Sequence, residues 1–338
     1  MKFICGPMAT ISHPAFRILI EEFGGCDEYF TEMINAGTLI VDGPFEKYYL
    51  NPSPVPQKLV WQLTGFDIDK MEEASRILVE LPGLGLDLNM GCSAPAIYKT
   101  GAGISWMIRP SADAQSMVHK VRKVVDSYNH NHPDEKKRLS VKLRLGEDNF
   151  TDDSFFSFTD MLVNEGVELL TLHPRTKKEK LSRPPRYFYC QKLAERYKNV
   201  SVYLNGNIKD KESFDFAVTS CPDIAGVMIS RAAVQKPWIF KVLRQTQKIK
   251  SEEKAEETFD NNIDMLSLAL DYIENIQLYQ PPEFWKTRLQ RFFLYYAQNF
   301  KFSHYAQTQF INAKDISELE QRLNEFFEKC PDERFIIV

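Results

Sequence analysis

Over its first 240 or so residues the chain repeats one pattern eight times: a short apolar stretch rich in β-formers, then a longer amphipathic one. No other property of the sequence narrows the fold as much. The short stretches read as strands at 3–8, 28–33, 58–63, 84–89, 140–144, 169–173, 201–204 and 225–229. Each is followed by enough chain to cross back over a sheet, as parallel neighbours require. Eight such units favour an α/β fold closed on itself, a (β/α)8 TIM barrel, over an open doubly wound sheet. From about residue 245 the strand pattern stops, and 251–280, 282–302 and 316–329 read as helices. The expected organisation is therefore a barrel over 1–243 and a small all-helical C-terminal domain over 244–338. With 338 residues, 43% of them hydrophobic, the chain is long enough to bury both cores.

Composition excludes several classes. No apolar run approaches the roughly 18 to 20 residues of a membrane span, and Met1 to Met8 lacks the long apolar region of a secretion signal. The reading is a cytoplasmic protein with no membrane association. Six cysteines (Cys5, Cys26, Cys92, Cys190, Cys221, Cys330) are scattered without a C-x-x-C pair, so neither a metal site nor a disulfide framework is expected. A formal net charge of −4 supplies no global attraction to nucleic acid, so any such binding needs a local basic face.

Polar residues gather where the strands end. Gln62, Asn89 with Cys92, Lys142 with Arg144, His173, Asn205 with Gly206, and Ser230 with Arg231 all fall at or just past a strand terminus, and in a barrel those termini share one face. In Leu86-Asp87-Leu88-Asn89-Met90-Gly91-Cys92 an apolar run ends in an amide, a glycine turn and a thiol, followed by small residues and glycines up to Gly103. Asn205-Gly206-Asn207 and Ser230-Arg231, after the last two strands, suit a phosphate cradle; two ordinary βα turns are the alternative. Strand alternation puts Lys142 and Arg144 on one side, where two cations need an anionic or carbonyl-rich partner such as a reduced flavin, unless they snorkel at the rim. Gln62 offers a donor and an acceptor to an imide edge.

Taken in order, Gly6-Pro7-Met8, Tyr29 to Met33, Gln62, Asn89-Met90-Gly91-Cys92, Lys142-Leu143-Arg144, His173-Pro174-Arg175-Thr176, Asn205-Gly206-Asn207 and Ser230-Arg231 make the chain resemble the tRNA-dihydrouridine synthases. That resemblance implies an FMN-binding barrel followed by a helical RNA-binding domain, reducing the C5=C6 bond of uridines in tRNA, with NADPH re-reducing the flavin. It implies Cys92 as the acid that protonates C5, and Asn89, Arg144 and Arg175 at the substrate. Gly6, Pro7, Met8, Gln62, Lys142, His173, Asn205, Gly206, Asn207, Ser230 and Arg231 would hold FMN. No stable protein partner is expected. Three features depart from the family: Ser93-Ala94 separate Cys92 from Pro95, where the family has proline directly, Ser230 stands where glycine is common, and the basic segment 177–186 replaces the family's usual tyrosine-glycine stretch.

Two regions carry charge suited to RNA. The basic run 177–186 could contact it, although a solvated charge run is the commoner meaning of such a stretch. Lys286, Arg288, Arg291 and Lys301 mingle with Trp285, Phe292, Phe293, Tyr295, Tyr296 and Phe300, which suits phosphate contacts with stacking, or equally a helical core. Two other functions fit parts of the pattern. One is an FMN enzyme of the dihydroorotate or dihydropyrimidine dehydrogenase kind acting on a free pyrimidine, which would not need the tail. The other is a catalytically inactive RNA-binding relative, which the joint presence of Asn89, Cys92, Lys142 and Arg144 disfavours.

Overall fold

A computed structural model describes residues 1–179, 182–250 and 262–338. Its first compact unit, made of Met1–Pro7, Asp27–Ile208 and Glu212–Ile229, holds the barrel. The strands are β1 (Lys2–Cys5), β2 (Glu28–Phe30), β3 (Ile34–Asn35), β4 (Leu59–Thr64), β5 (Gly85–Met90), β6 (Arg138–Leu143), β7 (Leu169–Leu172), β8 (Ser201–Asn205) and β9 (Gly226–Ile229). All pair in parallel; β1 lies between β9 and β2, and β2 reaches β4 through Tyr29↔Leu59, so eight strands close the ring. The short β3 is extra, lying against the C-terminal end of β4 at Ile34↔Leu63.

The barrel expected from the repeat is present, with strand ends displaced by local chemistry. The first strand stops at Cys5, not at residue 8, because Pro7 has no N–H to donate and Met8 already belongs to a turn: its carbonyl accepts from Ile11 and Ser12, and its N–H donates to Ser12 Oγ at 2.9 Å. The second stops at Phe30, and Thr31 instead offers Oγ1 to the Gln62 N–H at 2.9 Å. Inside the barrel Ile4, Phe30, Val60, Leu169, Tyr203 and Met228 form one apolar cluster. Beneath it, at the N-terminal ends of the strands, buried Glu28 takes donors from Lys2 Nζ at 2.8 Å, Arg138 Nη1 at 2.9 Å and Tyr203 Oη at 2.9 Å. Its pKa falls to about 2: the cations and donors of Arg138 and Lys2 outweigh the opposing cost of burial.

The second unit is made of Met8–Cys26, Lys209–Lys211 and Ser230–Val338. The helix Pro14–Glu22 packs on the helix Met265–Tyr279. Of the helix expected over 251–280, residues 251–261 lie outside the described residues, and the observed one starts only at Met265, where Asp264 accepts from the Leu266 and Ser267 N–H groups. The C-terminal region is helical as expected, with one small addition: β10 (Asn262–Asp264) pairs antiparallel with β11 (Phe335–Ile337). Residues 282–302 also divide, into the helix Pro282–Tyr296 and a 3-10 turn Ala297–Asn299, and a further helix, Ser303–Ile311, follows them. The helix Ile316–Lys329 has the expected bounds. Phe292, Phe293, Tyr296 and Phe300 are buried, with Phe292 stacked on Tyr272 at 3.7 Å between ring centroids, so these four aromatics are core and not a stacking surface. No helix among the described residues is long and apolar enough to cross a membrane.

Candidate active site

The thiol turn is built at the end of β5, where the pleat sends Asp87 and Asn89 to one side and Leu86, Leu88 and Met90 to the other. A continuous line of hydrogen bonds starts at Ser140, whose Oγ donates to Asp87 Oδ1 at 2.7 Å. Gln62 Nε2 donates to Asp87 Oδ2 at 2.8 Å, and Asn89 Nδ2 donates to Gln62 Oε1 at 2.9 Å. Asn89 Oδ1 then accepts from the backbone N–H groups of Gly91 at 3.3 Å and Cys92 at 3.0 Å. From the other side Arg144 Nε donates to the Gly91 carbonyl at 3.0 Å. The peptides on both sides of Gly91 are thus held, and the half-buried Cys92 follows them.

Two glycines sit against close neighbours in this turn. A Cβ on Gly91 would lie 3.1 Å from the Leu143 carbonyl carbon, and one on Gly103, whose φ is +60°, would lie 2.6 Å from the Cys92 carbonyl oxygen. The Ile104 N–H closes the loop onto that same carbonyl at 3.0 Å. Ser93-Ala94 lead into the short helix Pro95–Tyr98.

Lys142 and Arg144 share a face of the strand and its exit, as the alternation requires. Lys142 Nζ has no hydrogen bond or ion pair among the described residues, and its pKa is brought down to about 8, chiefly by burial and then by the Arg144 charge. Burial likewise lowers Arg144 to about 10. Charge at Cys92 acts on both cations, which places the thiol in their common field. On the neighbouring strand, at the register of Lys142, buried Thr171 Oγ1 has no hydrogen-bond partner. Asp87 is fully enclosed, and burial raises its pKa to about 6 against the lowering effect of Gln62, Ser140, Lys142 and Arg138.

The turn after β8 forms a separate cluster. Gly206 has φ +124° and Asn207 φ +66°. A Cβ on Gly206 would stand 2.9 Å from His173 Cδ2, so backbone and imidazole meet there as only glycine permits. Tyr187 Oη donates to the Gly206 carbonyl at 2.7 Å, and Asn205 Nδ2 to the Met228 carbonyl at 2.8 Å. Arg175 is buried, with Nη1 on His173 Nε2 at 2.9 Å and Nε on the Arg183 carbonyl at 2.5 Å. In the same unit the Gly6 N–H donates to the Ile229 carbonyl at 2.8 Å, ahead of Pro7. Met8, Ser230 and Arg231 belong to the second unit, where the Ser230 carbonyl accepts from Ala233 as the helix Arg231–Gln235 begins.

Sequence reasoning missed Asp87, Ser140 and Tyr187. A carboxylate in an otherwise apolar strand, two residues before the amide, was the available signal for Asp87. The basic run is mostly neutralised: Lys177 meets Glu147 at 2.7 Å, Lys178 meets Asp148 at 3.6 Å and Arg186 meets Glu179; Lys180 and Leu181 lie outside the described residues. Cys5, Cys26, Cys190 and Cys221 are buried and outside any disulfide, and the described residues contain no cluster able to hold a metal.

A parallel barrel that gathers a thiol, a lysine without a partner among the described residues and an arginine at the C-terminal ends of its strands is a barrel enzyme. A family model described as dihydrouridine synthase matches residues 4–328, and the chain belongs to that family. It is 28% identical over 276 residues to a probable tRNA-dihydrouridine synthase of Aquifex aeolicus (strain VF5), covering 80% of this chain and 81% of that one. A protein of the same description from Staphylococcus aureus (strain COL) is 25% identical over 334 residues, 96% of this chain and 92% of that one. A tRNA-dihydrouridine(47) synthase, NAD(P)(+)-like, from Rattus norvegicus is 27% identical over 245 residues, 72% of this chain but 36% of its own length. Among solved structures, a 2-naphthoyl-CoA reductase complex superposes with a TM-score of 0.52 at 10% identity, covering 72% of this chain and 50% of that one, a likeness of fold.

Proposed function

We propose that this protein reduces the C5=C6 bond of uridines in tRNA, using FMN that NADPH re-reduces, in a cytoplasmic setting. The family match carries the reaction, and the pinned Asn89–Cys92 turn beside Lys142 carries the assignment of residues. The site suits the flavin: Lys142 Nζ and Thr171 Oγ1 lack partners among the described residues, and Gly206 leaves backbone open where a Cβ would intrude. When bound, FMN would supply the hydride for C6.

The chain's own residues supply the rest. Lys142 gives a positive charge to the pyrimidine end of the cofactor, and Gln62 lies in the same polar layer. His173 with Gly206, Asn205 and Asn207, and from the sequence Gly6, Pro7, Met8, Ser230 and Arg231, are the proposed contacts of its phosphate and ring. Arg175 has donors committed to His173 and Arg183, so its proposed role is to orient His173. Arg144 keeps Nη2 for a uracil carbonyl while Nε holds Gly91, and Asn89 keeps one N–H for the same purpose. Hydride at C6 drives electron density onto C5 and the C4 carbonyl; the Cys92 thiol then gives its proton to C5, and the cations stabilise the negative charge that develops. The uracil must leave any stack to reach them. We assign this chemistry to residues 1–243 and tRNA contact to 244–338, where exposed Lys286, Arg291 and Lys301 provide phosphate partners.

The test is to incubate purified protein with FMN, NADPH and unmodified tRNA, digest the RNA and quantify dihydrouridine by mass spectrometry. Dihydrouridine dependent on both cofactors is the expected result. Flavin-bound protein that leaves varied tRNAs unchanged but reduces a free pyrimidine would overturn it.

A further inference from the structure

Between Ser140 and Cys92 each hydrogen bond has only one workable direction, fixed at one end by Asp87 and at the other by the backbone N–H groups of Gly91 and Cys92. A carboxylate accepts and does not donate, whereas the two amides could each be turned by half a revolution. Facing Asp87, Gln62 must present Nε2, which leaves Oε1 toward Asn89; Asn89 must then present Nδ2 to Gln62 and Oδ1 to the Gly91 and Cys92 N–H groups. Turned the other way, Asn89 would put an NH2 group against two backbone donors.

We propose that Asp87 is the positioning residue of this site, the fixed acceptor at the head of a Ser140–Asp87–Gln62–Asn89 relay that orients both amides and thereby holds the Gly91–Cys92 peptide in the geometry that presents the thiol. The residue is enclosed at 0% exposure, beyond reach of any substrate, so it acts through the amides and not by contact. Its strand position explains the economy of the arrangement: Asp87 and Asn89 are two apart on β5, Gln62 pairs with Asp87 in register from β4, and Ser140 pairs with Asp87 from β6. The turnover consequence rests on Cys92 being the reacting thiol; the relay itself does not.

Two substitutions separate direction from charge. In Asp87→Asn the new amide can turn Oδ1 to Gln62 and Nδ2 to Ser140, whose hydroxyl can accept it and donate to the Leu86 carbonyl, already 3.2 Å away. The relay survives without its charge. Asp87→Leu keeps the volume and removes the acceptor. In flavin-free protein, iodoacetamide labelling resolved by mass spectrometry should show Cys92 modified at least about fivefold faster in Asp87→Leu, with Cys330 unchanged and Asp87→Asn within about twofold of the parent. With tRNA, kcat should fall at least about tenfold in Asp87→Leu while KM stays within about twofold, and Asp87→Asn should restore most of it. Equal behaviour of the two variants, or parental Cys92 labelling in Asp87→Leu, would overturn the inference. Should Asp87→Leu not fold, Gln62→Met interrupts the relay one residue later and must give the same Cys92 labelling increase; its absence counts equally against the relay. Parental protein without dihydrouridine activity sinks the functional reading alone, because the labelling arm still reports on the relay.

Discussion

The two ends of the barrel interior hold similar charged groups under opposite terms. At the N-terminal end Glu28 is buried with Lys2, Arg138 and Tyr203 all turned to it, so the buried anion is fully met by cations and a donor. At the C-terminal end Lys142 has no partner among the described residues and Arg144 holds a carbonyl in place of a carboxylate. Burying an ion without a counter-ion costs several kcal/mol unless something else supplies the opposite charge. The lower cluster therefore belongs to folding, and the upper one is organised for a ligand.

The contrast can be broken at either end. The largest effect is expected from Cys92→Ala, which should cut dihydrouridine formation by about 10²- to 10⁴-fold, the usual worth of a positioned acid, while flavin binding is retained. Normal turnover in that variant would remove Cys92 from the reaction. Glu28→Gln should cost about 3 kcal/mol of stability by denaturant titration at neutral pH, because it leaves the partly buried Arg138 without its anion. Glu28 titrates near 2 in the fold against an ordinary 4.5, so its contribution is complete above about 4.5 and is lost as pH falls toward 2. Acid unfolding of Glu28→Gln should accordingly be less steep, and an unchanged acid midpoint would contradict the lower cluster's role.

The smallest effect on stability belongs to Lys142→Met, within about 1 kcal/mol of the parent or better, since an uncompensated cation is removed. Its flavin affinity should drop about tenfold. In the parent that affinity should weaken as pH rises through about 8, where free Lys142 loses its proton because burial and the Arg144 charge outweigh the opposing effects of Asp87 and Cys92. A pH profile of similar slope in Lys142→Met, measured by flavin fluorescence, would show that another group is responsible.

Much of this could be read before any coordinates. Strand alternation alone placed Lys142 and Arg144 together, and the glycine at 103 announced a close approach that proves to be the Cys92 carbonyl. Hydrogen-bond partners were not legible, because period-two patterning gives a face and not the neighbour across it. Hence Gln62, read as a group free for an imide, is found spent on Asp87 and Asn89, and Asp87 itself was passed over. The aromatic run 292–300 kept both of its meanings in sequence, since a core face and a stacking face share the helical period; burial decides for core. The pair β10–β11 was invisible for another reason: three-residue strands more than seventy positions apart leave no local signal.

The closure of the ring also constrains how the protein can be made. β1 can pair with β2 at once, but its other neighbour lies at Gly226, opposite Lys2, and the helix Pro14–Glu22 rests on the helix Met265–Tyr279, so strand and helix each wait for a partner far along the sequence. At cellular elongation rates that interval is on the order of ten seconds or more. Throughout it Ile4, Phe16, Leu19 and Ile20, all destined for burial, are held on an incomplete nascent chain. The burial of these side chains is therefore completed only once residues far along the sequence have been made, whatever the final stability of the finished fold.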